Sequence, residues 1–348
     1  EIRSRGLGDV YKRQNQMKGN IIEFGEFFHK NKFIPLILHW FKKNQRNLYW
    51  RKNRSLYLTY LSEIMLQQTT VKTVENKISE IINIFPSFNS FKTKKLEHLL
   101  KVWSGLGYYN RAENLFKAVT IINNIYHGEL PDNRDSLISL PGVGKYTSSA
   151  ILAIGHNKKS FPVDVNVKRL IQRLSGLKLK DDEVENILNS ACKKKISYRS
   201  LAESMMDFSS IICKKNNPNC SKCIFSSFCK SAFKSFENNK NIKRNNKQID
   251  FYLINSPLHI CFIKKPKFQY YKNFIHLPSN LDEEFIANLK LKNKEKIKSF
   301  KFVITNNLFQ INVYKFNLEK FNINNSVWIE KSKTKQLALP TLFKRILN

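Results

Sequence analysis

The chain has 348 residues, 42% of them apolar, which is enough for buried cores in two domains, and its 60 basic side chains against 27 acidic ones give a net charge of +33. That balance excludes an acidic solvating protein and favours a polyanionic partner, although 47 of the basic residues are Lys in a chain rich in Asn, Ile and Phe, a bias that an AT-rich genome produces by itself. No run of 18 apolar residues is present, so no membrane span is expected, and six cysteines are too few for a disulfide scaffold.

Residues 1–16 differ in composition from the rest of the chain, with Arg3, Arg5, Arg13, Gly6 and Gly8 in a protein that otherwise prefers Lys and uses few glycines. They read as a non-native leader resembling translated adapter sequence, with Met17 as the native start. From 21 to 233 the periodicity is helical. Ile34 to Phe41 opens an amphipathic stretch. Leu56 to Val74 is expected as one helix, followed by Val74–Phe85, Leu96–Trp103, Arg111–Tyr126, Asp135–Leu140, Tyr146–Gly155, Val165–Leu174, Val184–Lys194 and Leu201–Cys213. Pro86, Gly105, Gly107, Pro131 and Pro141-Gly142 punctuate them.

Several charged residues stand out within this block. Glu63 lies in LSEIMLQQT among Leu61, Ile64, Met65 and Leu66. Apolar surroundings would raise its pKa, as a general acid requires, while on a polar helix face it would be an ordinary exposed Glu. The segment Leu140-Pro-Gly-Val-Gly-Lys-Tyr-Thr147 joins two helices by a tight turn in which Gly142 and Gly144 permit positive φ. The second helix begins near Lys145, so its free N–H groups could meet a phosphate, or the segment could be a plain αα turn. Asp164 follows Phe161-Pro162-Val163 and reads as an N-cap, a position that would also orient a catalytic carboxylate. Asn166, Lys168 and Arg169 follow it at the helix start.

Cys213, Cys220, Cys223 and Cys229 form C-x6-C-x2-C-x5-C, four thiols within 17 residues. Structural zinc sites use two short Cys pairs held apart, and here there is one, so an iron–sulfur centre is favoured over zinc. Cys192 and Cys261 lie outside the pattern and read as small buried apolar residues. Residues 234–248 are polar and basic and read as a linker. From 249 the period changes: Phe251–Ile254, Ile260–Lys264, Phe300–Thr305 and Phe309–Phe316 are expected strands, with helices near 282–291 and 340–347. A small α+β domain is expected for 249–348.

LSEIMLQQT, WSGLGYYNRAENL, LPGVGKYT, VDVNVKRL and the four-cysteine spacing, in that order, resemble the adenine DNA glycosylase (MutY) family of the helix-hairpin-helix, endonuclease III-like superfamily. The resemblance implies a mainly α, two-lobed glycosylase with a helix-hairpin-helix at 137–152 and a loop at 213–229 whose four cysteines hold a 4Fe–4S cluster. It implies a small MutT/Nudix-like domain at 249–348. It implies excision of adenine mispaired with 8-oxoguanine or guanine, from a base flipped out of double-stranded DNA, by a monomer in the bacterial cytoplasm. Glu63 then matches the general acid, Asp164 the carboxylate that stabilises the oxocarbenium-like sugar, and Asn166 an active-site amide. Arg46, Trp50, Arg51 and Glu203 match the adenine pocket. Gln68 and Tyr108 match residues that push into the duplex, and Gly142, Gly144 and Lys145 match the phosphate-binding hairpin. Tyr109 reads as core packing.

Tyr146 stands where the endonuclease III family has a Schiff-base lysine, which implies a monofunctional enzyme rather than a pyrimidine glycosylase with lyase activity. Intact Glu63 and Asp164 argue against a non-catalytic DNA-binding iron–sulfur protein. Tyr49 replaces a common Pro and Ser209 a common Gly, and three further departures are visible. Val165 stands for a usual Gly, Tyr271-Lys272-Asn273 lies near the place of a Trp-Gly-Gly segment, and Thr305 and Asn306 align with a Ser-His pair that senses oxidised guanine. Asn306 does not reproduce an imidazole, so weakened discrimination of 8-oxoguanine is expected. No Nudix glutamate box is present, and no pyrophosphatase activity is expected.

Overall fold

The computed structural model describes residues 23–193, 196–234, 244–271, 274–287, 295–319, 324–337 and 339–348. The leader 1–16 and most of the stretch read as a linker lie outside them. The described residues form two compact units, those within Glu1–Gln67, Ser87–Asn89 and Lys117–Asn239 in the first and those within Gln68–Pro86, Ser90–Phe116 and Lys240–Asn348 in the second. No helix among the described residues is long and apolar enough to cross a membrane.

In the first unit, helices α1 (23–30), α2 (Phe33–Asn44), α10 (Val165–Ser175), α11 (Asp181–Ala191) and α12 (Tyr198–Ile211) share one apolar core that includes Phe33, Ile37, Leu170, Ile171, Ile187, Met205, Phe208 and Phe225. Sequence-encoded caps set their ends. Asp164 accepts from the backbone N–H groups of Asn166 and Val167 and starts α10, and Gly176, at φ 73°, stops it. Ser197 starts α12 by accepting from Ser200 N. Helix α4 (Leu56–Leu66) is capped by Ser55 and is buried from Tyr57 through Met65. The hairpin consists of α8 (Arg134–Ile138), a turn, and α9 (Lys145–Ala150), which ends in a π-helical turn at Ile151–Gly155. A side chain at Gly155 would meet Leu56 Cδ2 at 3.2 Å, so glycine lets α4 approach. Arg199 Nη2 donates to Gly155 O at 2.7 Å, and Asn157 Oδ1 accepts from Arg199 N at 3.0 Å, which ties the hairpin to α12.

The single helix expected from Leu56 to Val74 is two. It breaks because Gln68 takes a left-handed φ of 57° and Thr70 caps the new helix α5 (Val71–Ile84) through Thr73 N. Apolar periodicity runs across this junction, but a polar Gln-Gln-Thr-Thr run can satisfy freed backbone groups and permits the break. Gly144 also departs from expectation: its φ is −98°, whereas Gly142 is at 80°.

The second unit contains α5, α6 (Leu96–Val102), the start of α7 (Asn110–Ile125) and the C-terminal sheet. The five strands run in the order β3-β4-β1-β2-β5: β1 (Asn245–Asn255), β2 (His259–Ile263), β3 (Glu295–Ile304), β4 (Asn307–Asn317) and β5 (Ser326–Glu330). Strands β1 and β4 pair in parallel with Phe251 opposite Val313, and the other pairs are antiparallel. One face packs Phe251, Phe309, Ile311 and Val313 under α14 (Thr341–Leu347) through Leu342, Phe343 and Ile346. The other buries Tyr252, Ile254, Cys261, Ile263 and Phe316 with Phe285 of α13 (Glu283–Ala287). The expected extension of α13 to 291 lies outside the described residues. Strand β1 begins at Asn245, inside the stretch read as a linker. Residues 245–248 are exposed, so hydropathy carries no signal there, and backbone pairing with β4 makes them a strand. Strand β5, half-buried along its length on the sheet edge, has the same weak signature and escaped the sequence reading.

Candidate active site

Within the first unit, α4, the hairpin, α10 and α12 bring Glu63, Tyr146, Asp164 and Glu203 into one electrostatic neighbourhood. Glu63 is 6% exposed. Burial chiefly, then the charges of Asp164 and Glu203, push its carboxyl up to about 7, while a hydrogen bond from Tyr146 and the charge of Arg51 partly oppose this. Burial, with Glu63 and Asp164 adding to it, raises the Tyr146 phenol well above its ordinary value, so the hydroxyl keeps its proton.

Asp164 is set differently. Its Oδ1 accepts from Asn166 N at 2.9 Å and Val167 N at 2.7 Å, and its Oδ2 from Asn166 Nδ2 at 2.7 Å. Asn166 is held in turn: Arg169 Nη1 donates to Asn166 Oδ1 at 2.8 Å, and the same guanidinium donates to Ser209 O at 2.8 Å and Cys213 O at 2.9 Å. The cap bonds to Asn166 N and Val167 N fix the direction of the Asp164 carboxylate.

Beside them lies an ion-pair array. Arg51 spans Asp207 (Nη1–Oδ2 2.7 Å) and Glu203 (Nε–Oε1 3.4 Å). Arg46 pairs with Asp207 Oδ1 at 2.6 Å. Arg54 grips Glu203 with two bonds of 2.8 and 2.9 Å. Burial would raise Asp207, but the hydrogen bonds and charges of Arg51 and Arg46 outweigh it and hold the carboxyl below its ordinary value. Trp50, on α3 (Tyr49–Lys52), is buried. Arg46 and Arg51, read as lining the base pocket, both pair with Asp207. Asp207 and Arg54 were missed. A signal for Asp207 existed, since it follows Glu203 by one helical turn within the apolar Met205-Met206-Asp207-Phe208 run. None marked Arg54 among the surrounding basic residues.

At the hairpin, Gly142 O accepts from Gln67 Nε2 at 3.0 Å, which locks the turn to the end of α4. Lys145 is exposed, and a Cβ added to Gly144 would meet nothing within 4 Å. The start of α9 is therefore exposed at Gly144 and Lys145, while Thr147 and Ser148 behind it are buried.

Cys213, Cys220, Cys223 and Cys229 line one cavity with Leu170, Arg173 and Leu174. Arg173 donates to Lys214 O at 2.6 Å and Lys215 O at 2.8 Å, and approaches Cys213 Sγ at 3.5 Å. Burial, reinforced by the neighbouring cysteines, pushes the Cys223 thiol up to about 11. Cys192 and Cys261 are buried in apolar cores.

Gln68, Tyr108, Thr305 and Asn306 belong to the second unit. Tyr108 is exposed, at φ 47°. Thr305 and Asn306 form the exposed tip of the β3–β4 hairpin, and Thr305 Oγ1 donates to Ile304 O at 2.7 Å.

A family model described as HhH-GPD superfamily base excision DNA repair protein matches residues 61–194. An adenine DNA glycosylase of Buchnera aphidicola subsp. Baizongia pistaciae is 30% identical over 339 residues, covering 90% of this chain and 95% of that protein. Its counterpart from Buchnera aphidicola subsp. Acyrthosiphon pisum is 36% identical over 278 residues, covering 76% and 75%. Among solved structures, a thermostable thymine-DNA glycosylase is similar with a TM-score of 0.53 and 29% identity, over 59% of this chain and 96% of that one.

Proposed function

The chain belongs to the adenine DNA glycosylase family of helix-hairpin-helix base excision repair proteins, and from that membership we propose that it hydrolyses the N-glycosidic bond of adenine mispaired with 8-oxoguanine or guanine in duplex DNA, as a monomer. The observation that carries the chemistry is the contrast between two neighbouring carboxyls. Glu63 is dry and raised to about 7, so much of it is protonated at neutral pH and can donate to a ring nitrogen of the leaving base. Asp164 has three N–H donors on its oxygens, which hold it in one orientation and suit it to stabilise a developing cation. Tyr146 keeps its proton and orients Glu63. A phenol cannot form an imine with the sugar, which supports base release without strand cleavage. The array of Arg46, Arg51, Arg54, Glu203 and Asp207 forms a rigid polar wall suited to a flat heteroaromatic base, with Glu203 as the acceptor for an exocyclic amine.

The residues of the 213–229 loop fit a 4Fe–4S cluster. The four thiols surround one cavity. A single zinc ion, with bonds of about 2.3 Å, would draw the same four thiols closer together. Four cysteine ligands spread around a larger inorganic body satisfy the same chain spacing. Cys213, Cys220, Cys223 and Cys229 would hold it, and when bound it would cross-link the loop to the end of α12. Arg173 and Arg169 fix the loop's carbonyls from α10.

The test is base release from a duplex with adenine opposite 8-oxoguanine under single-turnover conditions. Glu63→Gln, which keeps the shape and removes the acid, should slow release by about three orders of magnitude. Release at the unchanged rate would remove Glu63 from the mechanism.

A further inference from the structure

In the second unit, the stretch from Ser104 to Tyr109 presents one exposed ring on a backbone that such a residue avoids. Tyr108 is 43% exposed and left-handed, at φ 47°. Its surroundings account for how that geometry is held. Arg111, itself buried, donates through Nη2 to Leu106 O at 3.0 Å and Gly107 O at 3.1 Å. The same nitrogen reaches Thr69 Oγ1 at 2.8 Å, next to Gln68, the other left-handed residue read as entering the duplex. Trp103 Nε1 donates to Gly107 O at 3.2 Å.

The remaining anchors come from the C-terminal domain. Tyr109 is 6% exposed, and its ring meets Phe274 edge-on with centroids 4.6 Å apart and Tyr271 at 6.1 Å. Lys344 of α14 donates to Ser104 Oγ at 2.7 Å. The contacts on Tyr109 therefore come from the segment between β2 and α13, at a different place in the chain from the β3–β4 hairpin expected to meet the oxidised base.

We propose that Tyr109, seated against Phe274 and Tyr271, is a positioning residue through which the C-terminal domain sets how far Tyr108 enters the duplex. With the Tyr109 ring seated on Phe274, the Tyr108 ring stays largely exposed beside the Arg111 guanidinium, whose Cζ lies 5.7 Å from its centroid. Burying the Tyr109 ring drives Tyr108 outward, and the aromatic seat supplies the attraction that offsets the left-handed strain. The inference rests on the reading of Tyr108 as a wedge. It gives the C-terminal domain a second route to lesion engagement, mechanical rather than by direct contact with the base.

The test uses the full chain and a duplex with 2-aminopurine next to 8-oxoguanine, whose fluorescence rises when its neighbour unstacks. Tyr108→Ala should abolish most of the rise. Tyr109→Leu should lower it by about fivefold while Tyr109→Phe, which keeps the ring, preserves it. The double variant Tyr108→Ala/Tyr109→Leu should fall no further than Tyr108→Ala, because both act through one ring. Phe274→Leu approaches the same contact from the other side, should also lower the rise, and decides the matter if Tyr109→Leu does not fold. A folded Tyr109→Leu or Phe274→Leu with full fluorescence, or additive losses in the double variant, would overturn the coupling and leave the wedge intact. An unchanged rise with Tyr108→Ala would overturn the wedge and the coupling with it.

Discussion

The stability cost of Glu63 and its proposed use as an acid stem from one fact, its burial. Because its carboxyl is raised from 4.5 to about 7, the acid form is full below about pH 7 and drains away above it. Single-turnover base release should therefore be steady on the acid side and fall as pH rises through about 7; a rate that climbs across that range would contradict an acid role for Glu63. The same shift is a statement about stability. The folded state holds this proton more tightly than the unfolded chain, so stability is retained at low pH and lost progressively as pH rises from 4.5 to about 7. Glu63→Gln carries no such penalty, and in denaturant melts its advantage should grow over that range to about 3 kcal/mol. The candidacy of Glu63 was legible because a lone carboxylate in Leu-Ser-Glu-Ile-Met-Leu is conspicuous. Its neighbours were not, since Asp164 and Glu203 are distant in the chain and only packing brings their charges near.

The hairpin shows the same division among elements. Two glycines flanking Val143 looked equivalent, and the structure separates them. Gly142 is left-handed at φ 80° and its carbonyl is locked to Gln67. Gly144 has an ordinary φ and open space around it. Gly142→Ala should cost about 1–2 kcal/mol and loosen the turn. Gly144→Ala should leave stability within about 0.5 kcal/mol, and thermal melts of the two variants will separate them. Strand β1 and the α4–α5 junction make a related point. Hydropathy marks an element only where side chains are buried, so an exposed strand start at Asn245 leaves no trace. A polar cap at Thr70 can divide what periodicity joins.

On the scale of the whole molecule, the charge of +33 acts as a general attraction for phosphate. Duplex affinity should fall steeply with salt, by about three to five orders of magnitude between 50 and 200 mM if six to ten phosphates are contacted. The ratio of rates on adenine opposite 8-oxoguanine and opposite guanine should stay nearly constant, since it depends on a few short-range groups. Binding titrations and rates across a salt series check both; a ratio that collapses in parallel with affinity would place specificity in the charge field. The sequence by itself determined most of the helical succession, the cap at Asp164 and the cysteine spacing, because each is written in local spacing and side-chain chemistry. Only the tertiary structure decided that Arg46 and Arg51 turn onto Asp207, that Arg54 holds Glu203, that Arg169 joins Asn166 to the Cys213 carbonyl, and that Tyr109 rests on Phe274. Those pairings join residues as much as 165 positions apart, and no local pattern encodes which buried charge or ring will meet which partner until the chain has packed.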